Sequence, residues 1–458
     1  MKRIILSIVA VVCVNIGLAQ ERFTIGDLTY EVKNNAEVKV YKCNKSATEV
    51  DIPTSVRYKL RKYDVTSIGF GAFENCTDLL SVAIPNSINE IEACAFSYCT
   101  GLTSIDIPNT ISTIETYTFR ACTALKEINL PNSVTHIKQG AFFDCINTVS
   151  ITVPNSVVSI GSSAFDNCSS LVSINIPEGI DTIEYSVFNN SRSLTSITIP
   201  NSVTYISTGA FYKCTSLASF TIPQSVRGIG CDAFSYTAFY NDSSNWNGHV
   251  LCKDNCLLEA RRVKGKYSVP NNIRLIAGSA FWDCDSLISI TLPKGITNIN
   301  NSTFSGCENL VSINIPNTVT SIGESAFRGC ERLESIIIPE GVTTIGIHTF
   351  WYCESLVTIN IPESVTTIGY GAFSGCRKLK SITIPKNVNY IGNFAFNYYD
   401  SNLSTIICLP TEPPILEGND VFTRSNSTTL QVPRGSLERY KASDWNKYFE
   451  GRIVEIEE

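Results

Sequence analysis

Proline returns every twenty-three residues through most of this chain, at 85, 108, 131, 154, 177, 200 and 223, and again at 270, 293, 316, 339, 362 and 385. Phenylalanine keeps the same period at 73, 96, 119, 142, 165, 188, 211 and 234, then at 281, 304, 327, 350, 373 and 396. Self-similarity at a fixed period means that one small unit is stacked in register, so the 458 residues are read as a repeat solenoid and not as several globular domains. An enzyme with one active site needs no such regularity. The array itself is the candidate functional part.

Aligned on the proline, a coil reads Leu-x-x-Ile-x-Ile-Pro-Asn-Ser-Val-x-x-Ile-Gly-x-x-Ala-Phe-x-x-Cys, as in Leu310 to Cys330. Ile313 and Ile315 alternate with Ser312 and Asn314, the period of a short strand with one face buried. Pro316 ends the strand because it lacks a backbone donor, and Pro-Asn starts a turn in which proline suits the first central position. Val319 and Ile322 return to the interior on a second side, and Ala326 with Phe327 fill a third, expected as a single helical or 3₁₀ turn. One coil cannot bury enough apolar surface to offset the entropy of ordering its backbone, so stability comes from stacking. With strands about 4.8 Å apart, the fourteen phenylalanine-bearing coils give a sheet of about 65 Å. The bulk of the phenylalanines opposite predicts an arc with the strands on the inside.

This repeat resembles the leucine-rich repeat of the BspA-like bacterial surface proteins, on the Leu-x-x-Ile-x-Ile-Pro strand and the Ala-Phe-x-x-Cys closure, over residues 64–407. The resemblance implies a curved right-handed leucine-rich-repeat stack with a parallel β-sheet on its inner face, a strand-rich amino-terminal cap and a mixed carboxy-terminal cap. Residues 20–63, alternating at Leu28, Tyr30, Val32, Val38 and Val40, look like the first cap, and 408–458, with Leu430, Leu437, Tyr440 and Trp445, like the second. Two arrays, 64–234 and 270–407, flank a degenerate repeat at 235–269, where Trp246 and Gly248 precede the expected hairpin of Val250–Cys252 with Cys256–Leu258. The resemblance also implies adhesion, with matrix or plasma proteins as partners, and a place outside or on the outer surface of a bacterium. A surface glycan-binding protein and a non-binding envelope spacer are the alternatives.

Residues 1–19 carry Lys2 and Arg3, an apolar stretch from Ile4 to Val14, and Gly17-Leu18-Ala19, the pattern of a secretory signal peptide. Val12 is too bulky to precede a lipid-bearing Cys13. The net charge of −6 argues against nucleic acid and anionic membrane as partners, and no later apolar run is long enough to span a bilayer. Of eighteen cysteines, eleven occupy one column of the repeat, broken at Ser191 and Thr237. A line of sulfurs about 5 Å apart cannot wrap a tetrahedral metal ion, so these read as buried free thiols and no cofactor or metal is expected. Cys252 and Cys256 come nearest to an exception because a hairpin sets them across from each other, yet free thiols are expected there as well.

His136, His249 and His348 have no nucleophile or acid at a useful spacing, so no catalytic residue is assigned. A polysaccharide lyase or hydrolase would need acids and bases on one exposed column. The outward strand positions are instead Ser81, Ser104, Ser150, Ser173, Ser196, Ser219, Ser289, Ser312, Ser335 and Ser381, a small, polar face. Variation between coils follows the ladder phenylalanine, where Tyr98, Phe143, Tyr212, Trp282, Trp351 and Tyr352 stand among polar residues. Exposed aromatics of this kind anchor protein interfaces or stack on sugars, and these six are the candidate partner-binding residues.

Overall fold

A computed structural model describes residues 21–397, 402–422 and 427–457. The expected signal peptide, Cys13 included, lies outside the described residues. The chain forms a solenoid whose coils each have three sides. The first side is the anticipated strand: in Ser150–Thr152 only Ile151 is buried, and it pairs in parallel with Glu127–Asn129 before it and Ser173–Ile174 after it. Alternation works because neighbouring side chains of a strand leave on opposite faces, so one isoleucine column enters the core while serine and threonine face out.

Proline plays a different part in the turn than its usual place suggests. The Val319 N–H donates to the carbonyl of Pro316 at 3.0 Å, so proline is the first residue of the turn and not its first central one. It closes the strand by lacking a donor and anchors the turn with its carbonyl. The second side is a further column of two-residue strands, such as Ser321–Ile322, which pairs in parallel with Asn298–Ile299. Between the two sides the serine two residues after the proline makes a repeated rung: Ser156 Oγ donates to the Val134 carbonyl at 2.7 Å and Ser364 Oγ to that of Val342 at 2.6 Å.

The third side is neither an α-helical nor a 3₁₀ turn. Two residues four apart, Ser325 (φ 55) and Gly329 (φ 71), are left-handed, and the pattern recurs at Cys94 and Tyr98, Ser163 and Asn167, and His348 and Tyr352. Alternating handedness splits the N–H groups into two sets. Those of Ala326, Arg328 and Cys330 close local turns on Gly323, Ser325 and Phe327, while those of Ser325, Phe327 and Gly329 donate to Ile347, Thr349 and Trp351 of the next coil. A helix would keep all these bonds within the coil; the observed path sends half of them along the stack.

Inside this side the phenylalanine rings form a ladder, with centroids 5.5 Å apart from Phe96 to Phe119, Phe119 to Phe142 and Phe304 to Phe327. Equivalent rings in equivalent coils are separated by the coil translation at that radius. Since it exceeds the roughly 4.8 Å between strands, the phenylalanine side is the longer and the strands lie on the inner face of the arc. Each ring buried from water contributes about 1.5–3 kcal/mol, with about 0.5–1.5 more from stacking.

At the amino end, antiparallel strands Arg22–Ile25, Leu28–Val32 and Glu37–Cys43 lead to Arg61–Ile68, which pairs in parallel with Glu90–Ile91 of the array. At the carboxy end, Thr405–Cys408, Thr429–Val432 and Ile453–Glu455 prolong the first-side column. Phe422 adds a rung to the ladder at 5.3 Å from Phe396, and buried Trp445, Tyr448 and Phe449 close over it.

The interrupted unit begins after Phe234 with a short helix, Ala238–Asn241, capped by Thr237, and a three-strand meander of Trp246–Asn247, Val250–Lys253 and Cys256–Ala260. Cys256–Ala260 then pairs in parallel with Leu275–Ile276 and so takes the place of a second-side strand. Ala260 occupies the ladder position, since its N–H donates to Ala280 and its carbonyl accepts the Cys284 thiol. Tyr267 fills the missing rung, 6.0 Å from Phe281.

Candidate functional site

The cysteine column is structural. Cys330 Sγ donates to the Phe304 carbonyl at 3.2 Å and Cys122 Sγ to that of Phe96 at 3.1 Å, each reaching back to the ladder phenylalanine of the preceding coil. Ser191 makes the same bond at 3.1 Å to Phe165, which explains why serine can break the column. Burial pushes the Cys145 and Cys214 thiols up to about 12, away from the thiolate that metals and electrophiles require. The first member, Cys76, interacts with Cys43 of the amino-terminal strands. Cys252 lies across from Leu257 and Cys256 from Lys253; Cys252 is exposed, Cys256 is buried, and both are free thiols. Among the described residues no group of three or more His, Cys, Asp or Glu side chains could hold a metal ion, and no helix is long and apolar enough to cross a membrane.

The strand face carries its hydroxyls outward, with Ser150, Ser173, Ser196, Ser312 and Ser335 exposed. Ile337, 74% exposed, and Ile288, 48% exposed, are apolar exceptions. The third side is chemically richer. Small residues after the ladder phenylalanine, such as Ser97 and Ser305, are buried, but the large ones reach the surface, and there the structure gathers five of the six candidates into three patches, each built around an arginine.

Tyr98 and Phe143 flank Arg120, whose guanidinium lies 5.1 Å from Tyr98, 5.3 Å from Tyr117 and 5.4 Å from Phe143. The Arg120 Nε is buried without a hydrogen-bond partner, so aromatic faces alone hold that edge. Tyr212 begins the second patch, meeting Tyr236 edge-on at 5.3 Å; Tyr236 meets Tyr240, and Tyr240 meets Trp246. Arg261 lies 4.5 Å from the Tyr240 ring and 4.9 Å from that of Trp246. Trp351 and Tyr352 form the third, 5.0 Å apart, with Arg328 4.3 Å over Trp351 and His348 stacked on it at 4.5 Å. Burial, then the Arg328 charge, lower the His348 pKa, which favours the neutral ring against the indole. Trp282 joins none of these and stands 60% exposed.

Sequence reading found the aromatics and missed the arginines that organise them. Arg120 and Arg328 occupy the column of Tyr212, Trp282 and Trp351, directly after the ladder phenylalanine. Arg261 follows Ala260, which hid its place in that column.

The profile of the BspA type leucine rich repeat region matches six copies, within residues 37–157, 135–241, 264–376 and 345–442. The chain belongs to this family. The matches leave out residues 242–263, where the BspA-type array gives way to the meander. A leucine-rich repeat protein from Bacteroides ovatus is 32% identical over 80% of this chain and 95% of its own, with a TM-score of 0.49. A leucine rich cell surface protein from Faecalibacterium prausnitzii is 28% identical over 79% of this chain and 94% of its own, with a TM-score of 0.44. The pneumococcal vaccine antigen PcpA is 18% identical over 96% of this chain and 99% of its own, with a TM-score of 0.34. No curated protein matches the chain.

Proposed function

We propose that this chain is a secreted or surface-held bacterial adhesin, a BspA-type stack that carries out no chemistry and binds extracellular proteins of matrix or plasma type through its third side. The observation that carries this reading is the patch of Arg328, His348, Trp351 and Tyr352, in which guanidinium, imidazole and aromatic rings already hold one another in place. Tryptophan, tyrosine and arginine dominate the affinity of protein interfaces, and side chains fixed before binding lose little entropy on contact. The basic, apolar start of the chain followed by Gly17-Leu18-Ala19 supports export.

The test is binding of the chain from Gln20 to Glu458 to immobilised fibronectin and fibrinogen. Saturable binding is expected, weakened about 10- to 100-fold in Arg328→Ala/Trp351→Ala, with the thermal unfolding profile unchanged. Binding that the double variant leaves intact would exclude this patch, and absence of saturable binding to any matrix or plasma protein would sink the adhesin reading.

A further inference from the structure

The interrupted unit carries a charge that the aromatic patches do not explain. Residues 261–266 read Arg-Arg-Val-Lys-Gly-Lys in a molecule whose net charge is −6. Arg261, Arg262, Lys264 and Lys266 are all exposed. Among the described residues only Arg261 has a carboxylate within ion-pair distance, Glu259 at 3.7 Å. Like charges so close repel one another, and a counter-charge from outside relieves that repulsion.

Beside this run opens a cleft of about 380 Å³ lined by Tyr240, Asn241, Trp246, His249 and Arg261, together with Ser243 and Gly248. No carboxylate lines it. Asp242, next in sequence, turns its side chain to cap the Ser244 N–H at 2.9 Å. The Trp246 indole N–H is committed to the Tyr240 carbonyl at 2.8 Å, and Arg261 Nη2 donates to the Tyr240 hydroxyl, so ring and guanidinium are fixed before any ligand arrives. Arg261 Nη1 has no partner among the described residues. The meander holds this geometry, since the Arg261 N–H donates to the His249 carbonyl at 2.7 Å. Onward from the cleft, Lys266 lies in a strand opposite Ser289, in the outward column of the strand face.

An aromatic wall suits the C–H face of a pyranose ring, a guanidinium suits a carboxylate or sulfate, and a run of cations continuing from the cleft suits a chain and not a single small ion. We infer that the cleft at Trp246, Tyr240 and Arg261, extended by Arg262, Lys264 and Lys266, is a binding site for an anionic saccharide chain. The site is separate from the patch around Trp351, and either assignment can fail without the other.

The experiment measures binding of the full chain to a heparin oligosaccharide, an oligogalacturonate of equal length and neutral dextran, at low and physiological salt. Lys264→Gln/Lys266→Gln changes only exposed side chains, and Trp246→Ala removes the aromatic wall. The expected result is binding to an anionic oligosaccharide, weakened about tenfold by each variant, with a shallower salt dependence in the lysine variant. Binding to heparin alone would assign the anion as sulfate, and to both as either group. Arg328→Ala/Trp351→Ala should bind saccharide normally, and the lysine variant should bind fibronectin normally. Equal affinity for dextran, equal competition by poly-glutamate, or wild-type affinity in both site variants would overturn the inference.

Discussion

A regular coil and the interrupted unit bury the same kinds of residue to opposite ends. In a coil such as Leu310–Cys330, every inward side chain joins one core that continues into the coils on either side. In the interrupted unit, strand Cys256–Ala260 shows one core to each neighbour: Cys256 and Leu258 pack with the residues running back to Phe23, and Leu257 and Ala260 with those running forward to Ile453. The meander, with Leu275 and Ala277 after it facing the amino-terminal core, is therefore a partition between two cores, bridged at its edge by the Gly278 N–H on the Ile229 carbonyl at 2.8 Å. A solenoid is stabilised by contacts between neighbours, so a partition is where cooperativity should weaken.

The largest effect should come from breaking a ladder. Phe327→Ala removes a fully buried ring stacked on both sides and should cost about 3–5 kcal/mol, read from the denaturant midpoint. The partition predicts that only the carboxy-terminal transition moves. Leu258→Ala, on the other face of the meander, should lower the amino-terminal one. A single transition that shifts as a whole in both variants would mean that the two cores unfold as one.

Somewhat smaller is the effect of Glu259, a half-buried carboxylate in the partition. Burial, and then Asp232, push its carboxyl from 4.5 up to about 7, and Arg261 is too exposed to offset much of this. Glu259 thus binds its proton more tightly in the folded chain than in the unfolded one. Its contribution is fully present below pH 4.5 and lost as pH rises through about 7, a difference of about 3 kcal/mol. Glu259→Gln should flatten that slope in a series of denaturant melts from pH 4 to 8. A slope that persists unchanged would point to the regular array, where Asp166 is likewise pushed up by burial, to about 6.

The smallest effect belongs to the thiol column. Cys330→Ser keeps a donor for the Phe304 carbonyl and should change stability by less than about 1 kcal/mol, as the natural serine at 191 suggests. Cys330→Ala gives up both bond and volume and should cost about 1–2 kcal/mol. Equal melts for the two variants would show that the thiol fills space and nothing more.

The proline, isoleucine, phenylalanine and cysteine columns were legible because each has a narrow physical job and recurs at one spacing. The third side was not, because its left-handed positions accept serine, asparagine, glycine, tyrosine or lysine, as at Ser325, Asn167, Gly329, Tyr98 and Lys213. No single letter marks the conformation. The candidate site divides in the same way. Tyr98, Phe143, Tyr212, Trp351 and Tyr352 stood out as large residues at a variable position, whereas Arg120 and Arg328 passed as ordinary surface charge until their neighbours in adjacent coils were known. Trp282 was just as visible and has no such neighbours. Contacts between residues twenty-three apart exist only once coils are stacked.

The backbone bonds of the third side give the molecule a direction. Its rungs, from Gly71 onto Ala93 to Phe396 onto Val421 with a break at the interrupted unit, have the N–H aimed toward the carboxy end and the C=O toward the amino end. Peptide dipoles of about 3.5 D are thus added along one flank with a common sign. The two tips are electrically unlike, and the carboxy tip ends on a lone-pair donor, the Tyr448 hydroxyl, which takes the Val421 N–H at 3.1 Å. Two such molecules meeting end to end along this flank would match only head to tail. A coil copied into the interior finds its proper polarity on both sides, so the array can change length while its two ends remain as they are.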